Sequence, residues 1–364
     1  MSTTVVHNGL EGIVAAETRL SMVDGARGEL IIAGFRVDEL ASRMAFEETV
    51  ALLWGESVDL RPELAARRVL APATLALLRA AAERRIDAMD ALRMAADTIA
   101  LEDPKSDREA ALQLIAKFPT IVAAYWRMLN GREPLAPLEE LGHAANYLFM
   151  LTGDVPHEEL VRGLETYLNT VVDHGLNAST FAARVIASTE SDFISAIAGA
   201  IGALKGPLHG GAPGPALDMV FAIGDASRAE EFLRAKLAAG ERLMGFGHRV
   251  YKVRDPRADV LSAAAERMFT RPGKTTSDMH LYELTRAVER TALRLLEEQK
   301  PGRNLQTNVE FYTALLLHGL GLDVPLFTPT FAISRVAGWT AHCFEQRAAK
   351  RLIRPQSVYV GPMP

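Results

Sequence analysis

Asp278-Met-His-Leu-Tyr-Glu-Leu-Thr-Arg-Ala-Val-Glu-Arg-Thr-Ala-Leu-Arg-Leu-Leu-Glu-Glu-Gln-Lys300 is amphipathic at steps of three and four, and it stops at Pro301-Gly302. That spacing puts the apolar side chains on one face of a long helix, and the Pro-Gly pair ends it. The same spacing recurs through most of the chain beyond about residue 38. Strand-like composition is confined to the start. Residues 10–22 and 29–37 carry β-branched and apolar residues around Asp24-Gly25 and Gly28, which predicts a small hairpin or meander. The fold class is therefore all-α with a small N-terminal β element.

Working outward, several helix ends carry their own chemistry. Ser227-Arg-Ala-Glu230 reads as a capping box opening a helix over 228–239, and Asp255-Pro256 supplies an N-cap acceptor and a first-turn proline for a helix over 257–269. A further helix is predicted from about Thr307 to 319–321, with Thr307-Asn-Val-Glu310 as a second capping box. Gly206-Pro-Leu-His-Gly-Gly-Ala-Pro-Gly-Pro215 is the densest glycine and proline stretch and reads as a hinge between domains. The expected division is a large helical domain over 1–210, a small domain over 211–320, and a return to the large domain over 321–364.

Composition narrows the function. The chain has 364 residues, 49% hydrophobic, so it can bury a sizeable core, and a net charge of −5 argues against a protein built to neutralise nucleic-acid phosphates. The single cysteine, Cys343, excludes an intramolecular disulfide and a zinc ribbon, and a reducing cytoplasm fits it best. Residues 1–8 lack a secretory signal, and the charge-poor stretches 141–153 and 193–204 are too short to span a bilayer, so neither export nor a membrane is expected.

Three attractive motifs fail. Gly273-Lys274-Thr275 looks like the tail of a phosphate loop, but Met268 stands where its first glycine belongs. The glycines of 206–214 lack the dinucleotide spacing and a preceding strand, and the sequon at Asn177 has no meaning in the cytoplasm. No histidine pair has metal-ligand spacing, so no metal is expected. What remains is three histidines in glycine-rich or polar settings: His174 in Asp-His-Gly-Leu-Asn-Ala-Ser, His209 in Pro-Leu-His-Gly-Gly, and His248 in Gly-Phe-Gly-His-Arg-Val-Tyr-Lys. Glycine neighbours let a ligand approach the backbone and leave amide donors open.

These blocks, with Phe331-Ala-Ile-Ser-Arg-Val-Ala-Gly-Trp339 and the stretch 354–361, resemble the signature motifs of the citrate synthase family, in order and over essentially the whole chain. The resemblance implies a mostly helical homodimer whose two domains close over the substrates. It implies joining the methyl carbon of acetyl-CoA to the ketone of oxaloacetate and hydrolysis of citryl-CoA, with acyl-CoA as co-substrate and no permanently bound cofactor. The similarity begins at Gly9, so the extra N-terminal domain associated with NADH inhibition in larger members is not expected. Carried over by motif, His209 matches the group that hydrogen-bonds the thioester oxygen, and His248 the one that polarises the ketone. His174, Arg257 and Arg335 match oxaloacetate-binding positions, with Phe331 packed beside the keto acid. Arg354 matches the arginine lent by the partner subunit. Gly245, Phe246 and Gly247 match the loop that contacts CoA, and Lys252 is the expected phosphate partner. Guanidinium forks suit a dicarboxylate, and a neutral imidazole stabilises charge that develops in the transition state.

The departure from the family pattern is Glu310, where most members have aspartate as the base that takes the methyl proton. Its place near a helix N-terminus is expected to favour the ionised form. The competing reading is that Glu310 merely completes a capping box. Gln306-Thr307 and Gln356 also differ from the common pattern. Two alternatives to citrate synthase stay open on sequence: 2-methylcitrate synthase acting on propionyl-CoA, since one methylene is worth only ~1–3 kcal/mol in a pocket, and a ligand-binding relative without catalysis.

Overall fold

Residues 18–24 show how the chain enters its first sheet. Thr18 Oγ1 accepts the Leu20 N–H at 3.1 Å, and the Arg19 N–H donates to Glu345 Oε1 at 3.0 Å. Side chains thus satisfy these N–H groups, and the first strand begins at Ser21, just after the Leu20 carbonyl accepts from Ala33 N at 2.8 Å, later than the run from residue 10 implied. The computed structural model describes residues 6–10, 12–210, 213–271 and 276–363. Strands β1 (Ser21–Asp24), β2 (Glu29–Ile32) and β3 (Phe35–Arg36) form an antiparallel meander, with Ser21 opposite Ile32 and Ile31 opposite Arg36. Asp24 Oδ1 accepts from the N–H groups of Ala26 and Arg27, which closes the β1–β2 turn. A Cβ on Gly25 would lie 2.3 Å from the Val250 carbonyl oxygen, and the Lys252 N–H donates to the Gly25 carbonyl at 2.8 Å. The small sheet is therefore a buttress for residues 248–254.

Helices make up nearly all the rest. The amphipathic run of 278–300 is the helix Thr276–Gln299, and Asp255 caps Pro256–Thr270 by accepting from Arg257 N at 3.0 Å. The Gly273-Lys274-Thr275 stretch and positions 211 and 212 of the glycine-proline run lie outside the described residues.

Two caps differ from those expected. Asp225, a charged and stronger acceptor, takes both the N–H and the hydroxyl of Ser227. That leaves Ser227 inside a 3-10 turn, and the helix proper is Ala229–Ala238. Thr307 donates its hydroxyl to Glu289 at 2.7 Å, so Asn308 caps the helix Val309–Gly319 instead.

The helix Phe327–Ala349 runs through the middle, buried on nearly every side, as an apolar helix with no solvent face must be. It packs on Asp107–Leu129, Glu158–Val171, Ala178–Ala187 and Phe193–Leu204. Where it meets residues 172–173 the approach is so close that a Cβ on Gly338 would lie 2.3 Å from the Val172 carbonyl oxygen. Beside that contact, buried His342 Nε2 lies 3.2 Å from Asp173 Oδ1, and Ser21 Oγ binds both Asp173 Oδ2 and the Gly175 N–H. The segment leading into His174 is thereby pinned from the central helix and from β1. Among the described residues no single helix is long and apolar enough to cross a membrane.

Gly338→Ala forces backbone apart and should lower stability by about 1–3 kcal/mol in a denaturant titration. Gly202→Ala, on a helix position with open space around it, should lose no more than about 0.5 kcal/mol. Equal stabilities would show that the central crossing is looser than described.

Candidate active site

The loop 245–247 and the segment 306–308 hold each other. Phe246 bridges Thr307 in antiparallel fashion; Gly247 N donates to the Gln306 carbonyl at 2.7 Å and Asn308 N to the Gly245 carbonyl at 2.9 Å. The Asn308 amide adds a bond to the Gly247 carbonyl at 2.8 Å. Gly245 has a φ of 87° and would place a Cβ 2.8 Å from Phe311, so only glycine fits both the turn and the packing. This lattice delivers His248 and Glu310 to one place.

His248 Nδ1 accepts from the N–H groups of Val250 (3.1 Å) and Tyr251 (3.0 Å). A neutral imidazole with its Nδ1 lone pair so used carries its proton on Nε2. Burial, then the Arg257 charge, lower the His248 pKa to about 4, so the ring is neutral at pH 7. Arg257 Nη2 stands 3.4 Å from Nε2. Two donors that close want a shared acceptor.

His209 Nε2 faces the Ser179 hydroxyl at 2.8 Å and the Ser179 N–H at 3.4 Å. A backbone N–H can only donate, so Nε2 is the acceptor and Nδ1 bears the proton. Trp339 Nε1–H in turn donates to Ser179 Oγ at 3.1 Å, which fixes that hydroxyl. Burial and then Arg335 lower His209 to about 4 as well. His174 is also held well below its ordinary value, by burial and then by Arg257 and Arg335, and its Nε2 meets the Tyr251 hydroxyl at 3.1 Å. The His174 and His248 rings lie 6.0 Å apart.

Arg257 and Arg335 are both buried. Asp255 binds Arg257 in bidentate fashion, at 3.0 Å to Nε and 2.8 Å to Nη2, while also accepting from Val309 N at 3.2 Å. Burial would depress Arg257, and the Asp255 charge together with its hydrogen bonds, Tyr251 and Glu310 more than reverses that. Arg335 donates Nε to the Val171 carbonyl at 2.8 Å and sits 4.5 Å from the Phe331 ring centroid. Burial brings it down to about 10, still a cation at neutral pH. No carboxylate forms a salt bridge with Arg335 among the described residues.

Glu310 overturns one expectation and frees another. Its pKa is raised by burial, against the pull of Arg257, so desolvation outweighs the helix N-terminus that was expected to keep it low. With Asn308 as the cap, no capping box engages its carboxylate, which has no hydrogen bond among the described residues. A buried carboxylate with free lone pairs can take a proton.

His174, His209, His248, Arg257, Glu310, Phe331, Arg335 and the loop 245–247 all line one cavity of about 1350 Å³. Lys252, expected at the coenzyme end, does not, and neither does Arg354, which was expected at the partner's site. Lys252 is exposed and folds back to bond the Arg249 carbonyl at 3.0 Å, because its backbone is tied to the N-terminal sheet. Arg354 lies on the exposed segment after the central helix, outside this cavity. In place of Lys252, four cations line the cavity: Arg242, Arg249, Lys300 and Arg303. Sequence reading missed them, along with Ser179 and Tyr251; Arg249 and Tyr251 lie within the His248 motif and Ser179 ends the His174 motif, while Arg242, Lys300 and Arg303 share no local signal.

The fold and cavity define an enzyme of the acyl-transferring class on an all-α scaffold. The family profile described as "Citrate synthase, C-terminal domain" matches residues 9–356, and the chain belongs to the citrate synthase family. It is 40% identical to the citrate synthase of Haloferax volcanii, across 97% of this chain and 95% of that one. It is also 40% identical to the 2-methylcitrate synthase of Mycobacterium tuberculosis, across 98% and 91%. Among solved structures, the Thermoplasma acidophilum citrate synthase, in a ternary complex with carboxymethyl coenzyme A and oxaloacetate, superposes with a TM-score of 0.87 at 29% identity over 100% of this chain and 98% of that one.

Asp255→Asn retains a capping oxygen but leaves Arg257 buried without its counter-charge. It should cost about 3–5 kcal/mol in denaturant unfolding. A loss below about 1 kcal/mol would mean that Arg257 finds its charge balance elsewhere.

Proposed function

We propose that the chain is a citrate synthase that condenses acetyl-CoA with oxaloacetate and hydrolyses citryl-CoA to citrate and CoA. The observation that carries this reading is the pair of donors at His248 Nε2 and Arg257 Nη2, 3.4 Å apart and aimed at a shared acceptor in a cavity that also holds the Glu310 carboxylate. A keto dicarboxylate supplies such an acceptor, and buried Arg335 and His174 bind its other end, with Phe331 against its face.

In this reading Glu310 takes a proton from the acetyl methyl group as the C–H bond breaks. His209 donates its Nδ1–H to the thioester oxygen, where the enol's negative charge develops. The methylene carbon then attacks the ketone, whose oxygen takes the His248 Nε2 proton. Water finally cleaves the thioester of citryl-CoA. CoA is co-substrate, its thioester end beside Gly245, Phe246 and Gly247, and its phosphates near Arg242, Arg249, Lys300 and Arg303. Residues 211–320 act as a small domain that closes on the remainder. The active unit is a homodimer in the cytoplasm, with Arg354 of each chain reaching the partner's site; its exposure and its place outside its own cavity support that role.

His209→Ala and His248→Ala should each lower kcat by about 10²-fold or more in an assay of thiol release with acetyl-CoA and oxaloacetate. Propionyl-CoA should serve less well than acetyl-CoA. On acidification, kcat/KM should fall as Glu310 becomes protonated, at a pKa above its ordinary value of 4.5 and before the histidines charge near 4. Unchanged turnover in both histidine variants, or a preference for propionyl-CoA, would reject the reaction as written.

A further inference from the structure

Tyr251 stands among the three groups assigned above to the keto acid. Its backbone N–H donates to His248 Nδ1 at 3.0 Å, its hydroxyl meets His174 Nε2 at 3.1 Å, and its ring centroid lies 5.6 Å from the Arg257 guanidinium carbon. The side chain is 3% exposed, and its hydroxyl has no other hydrogen-bond partner among the described residues. Burial pushes the phenol pKa up, so the oxygen keeps its proton and can donate. With Nε2 as its only acceptor, the buried hydroxyl donates to that lone pair, so the neutral His174 ring carries its own proton on Nδ1.

We propose that Tyr251 is a positioning residue of the keto-acid pocket: its hydroxyl fixes the tautomer and ring orientation of His174. The same residue, through its main chain, fixes the tautomer of His248. One residue, its hydroxyl at His174 and its main chain beside that of Val250 at His248, thus helps set which nitrogens of two histidines present N–H to the substrate. The inference rests on the reading of this cavity as a keto-acid site. It assigns Tyr251 no contact with the acyl-CoA and no role in proton transfer from carbon.

Tyr251→Phe removes the hydroxyl alone and leaves the ring against Arg257 and the N–H to His248. Losing one hydrogen bond that orders a binding group should raise the oxaloacetate KM about tenfold, with kcat and the acetyl-CoA KM within about threefold of wild type. A merely structural role would not produce that split. The second readout is the ¹⁵N spectrum of histidine-labelled protein, with His174 assigned by the loss of its signals in His174→Gln. Wild type should show His174 as the Nδ1–H tautomer, and Tyr251→Phe should move it toward Nε2–H. An unchanged oxaloacetate KM, or an equal rise for both substrates, overturns the positioning role; so does an unchanged tautomer. If wild type condenses no acyl-CoA with oxaloacetate, the reaction assignment fails, while the tautomer comparison still decides whether Tyr251 orders His174.

Discussion

The buried carboxylate of Asp255 ties the site together. It caps Pro256–Thr270 through Arg257 N, holds the Arg257 guanidinium with both oxygens, and accepts the Val309 N–H at the start of the helix that carries Glu310. Two helix starts and one buried cation therefore share a single anion. Its geometry sets how far Arg257 stands from His248 and how Glu310 enters the cavity. Glu289 has a similar role in the next layer outward, binding Arg254, Thr307 and Tyr312 and so fixing the strand-like segment that pairs with the glycine loop. Removing either anion leaves cations or hydroxyls buried without partners, which is where large losses of stability arise.

The charge balance of the cavity follows from burial. Arg257 has a counter-ion, whereas no carboxylate forms a salt bridge with Arg335 among the described residues. The same cations, added to desolvation, keep His174, His209 and His248 neutral. Neutral imidazoles donate without adding further charge, while an incoming dianion supplies the missing counter-charge to Arg335. A carboxylate such as Glu310, raised by burial, is a stronger base once ionised than an exposed one. Site electrostatics and substrate charge are matched in this arrangement.

Much of this was legible in the sequence because its motifs are local. The three histidines, the two arginines and Glu310 stand in short runs whose composition is unusual for helical surface, and the cavity brings them together. The helix over 278–300 was readable from spacing alone. The failures share a cause, which is that a distant group competes for a local one. Thr307 looked like a cap until Glu289, eighteen residues earlier on another helix, took its hydroxyl. Lys252 looked free until the N-terminal turn at Gly25 fixed its backbone and left its amine on the Arg249 carbonyl. Arg242, Lys300 and Arg303 share a cavity only through tertiary packing, and the rise in the Glu310 pKa comes from burial that no helix-end rule contains.

The central claim is that Glu310 takes the proton from carbon, and it is tested by exchange of the acetyl-CoA methyl protons with solvent deuterium in the presence of a non-reactive oxaloacetate analogue. Glu310→Gln is nearly isosteric and keeps the Asn308 cap, so it should bind both ligands and lose most of that exchange. Glu310→Asp, which keeps the carboxylate, should exchange measurably. Exchange in Glu310→Gln as fast as in wild type would contradict the account and assign the base to another residue.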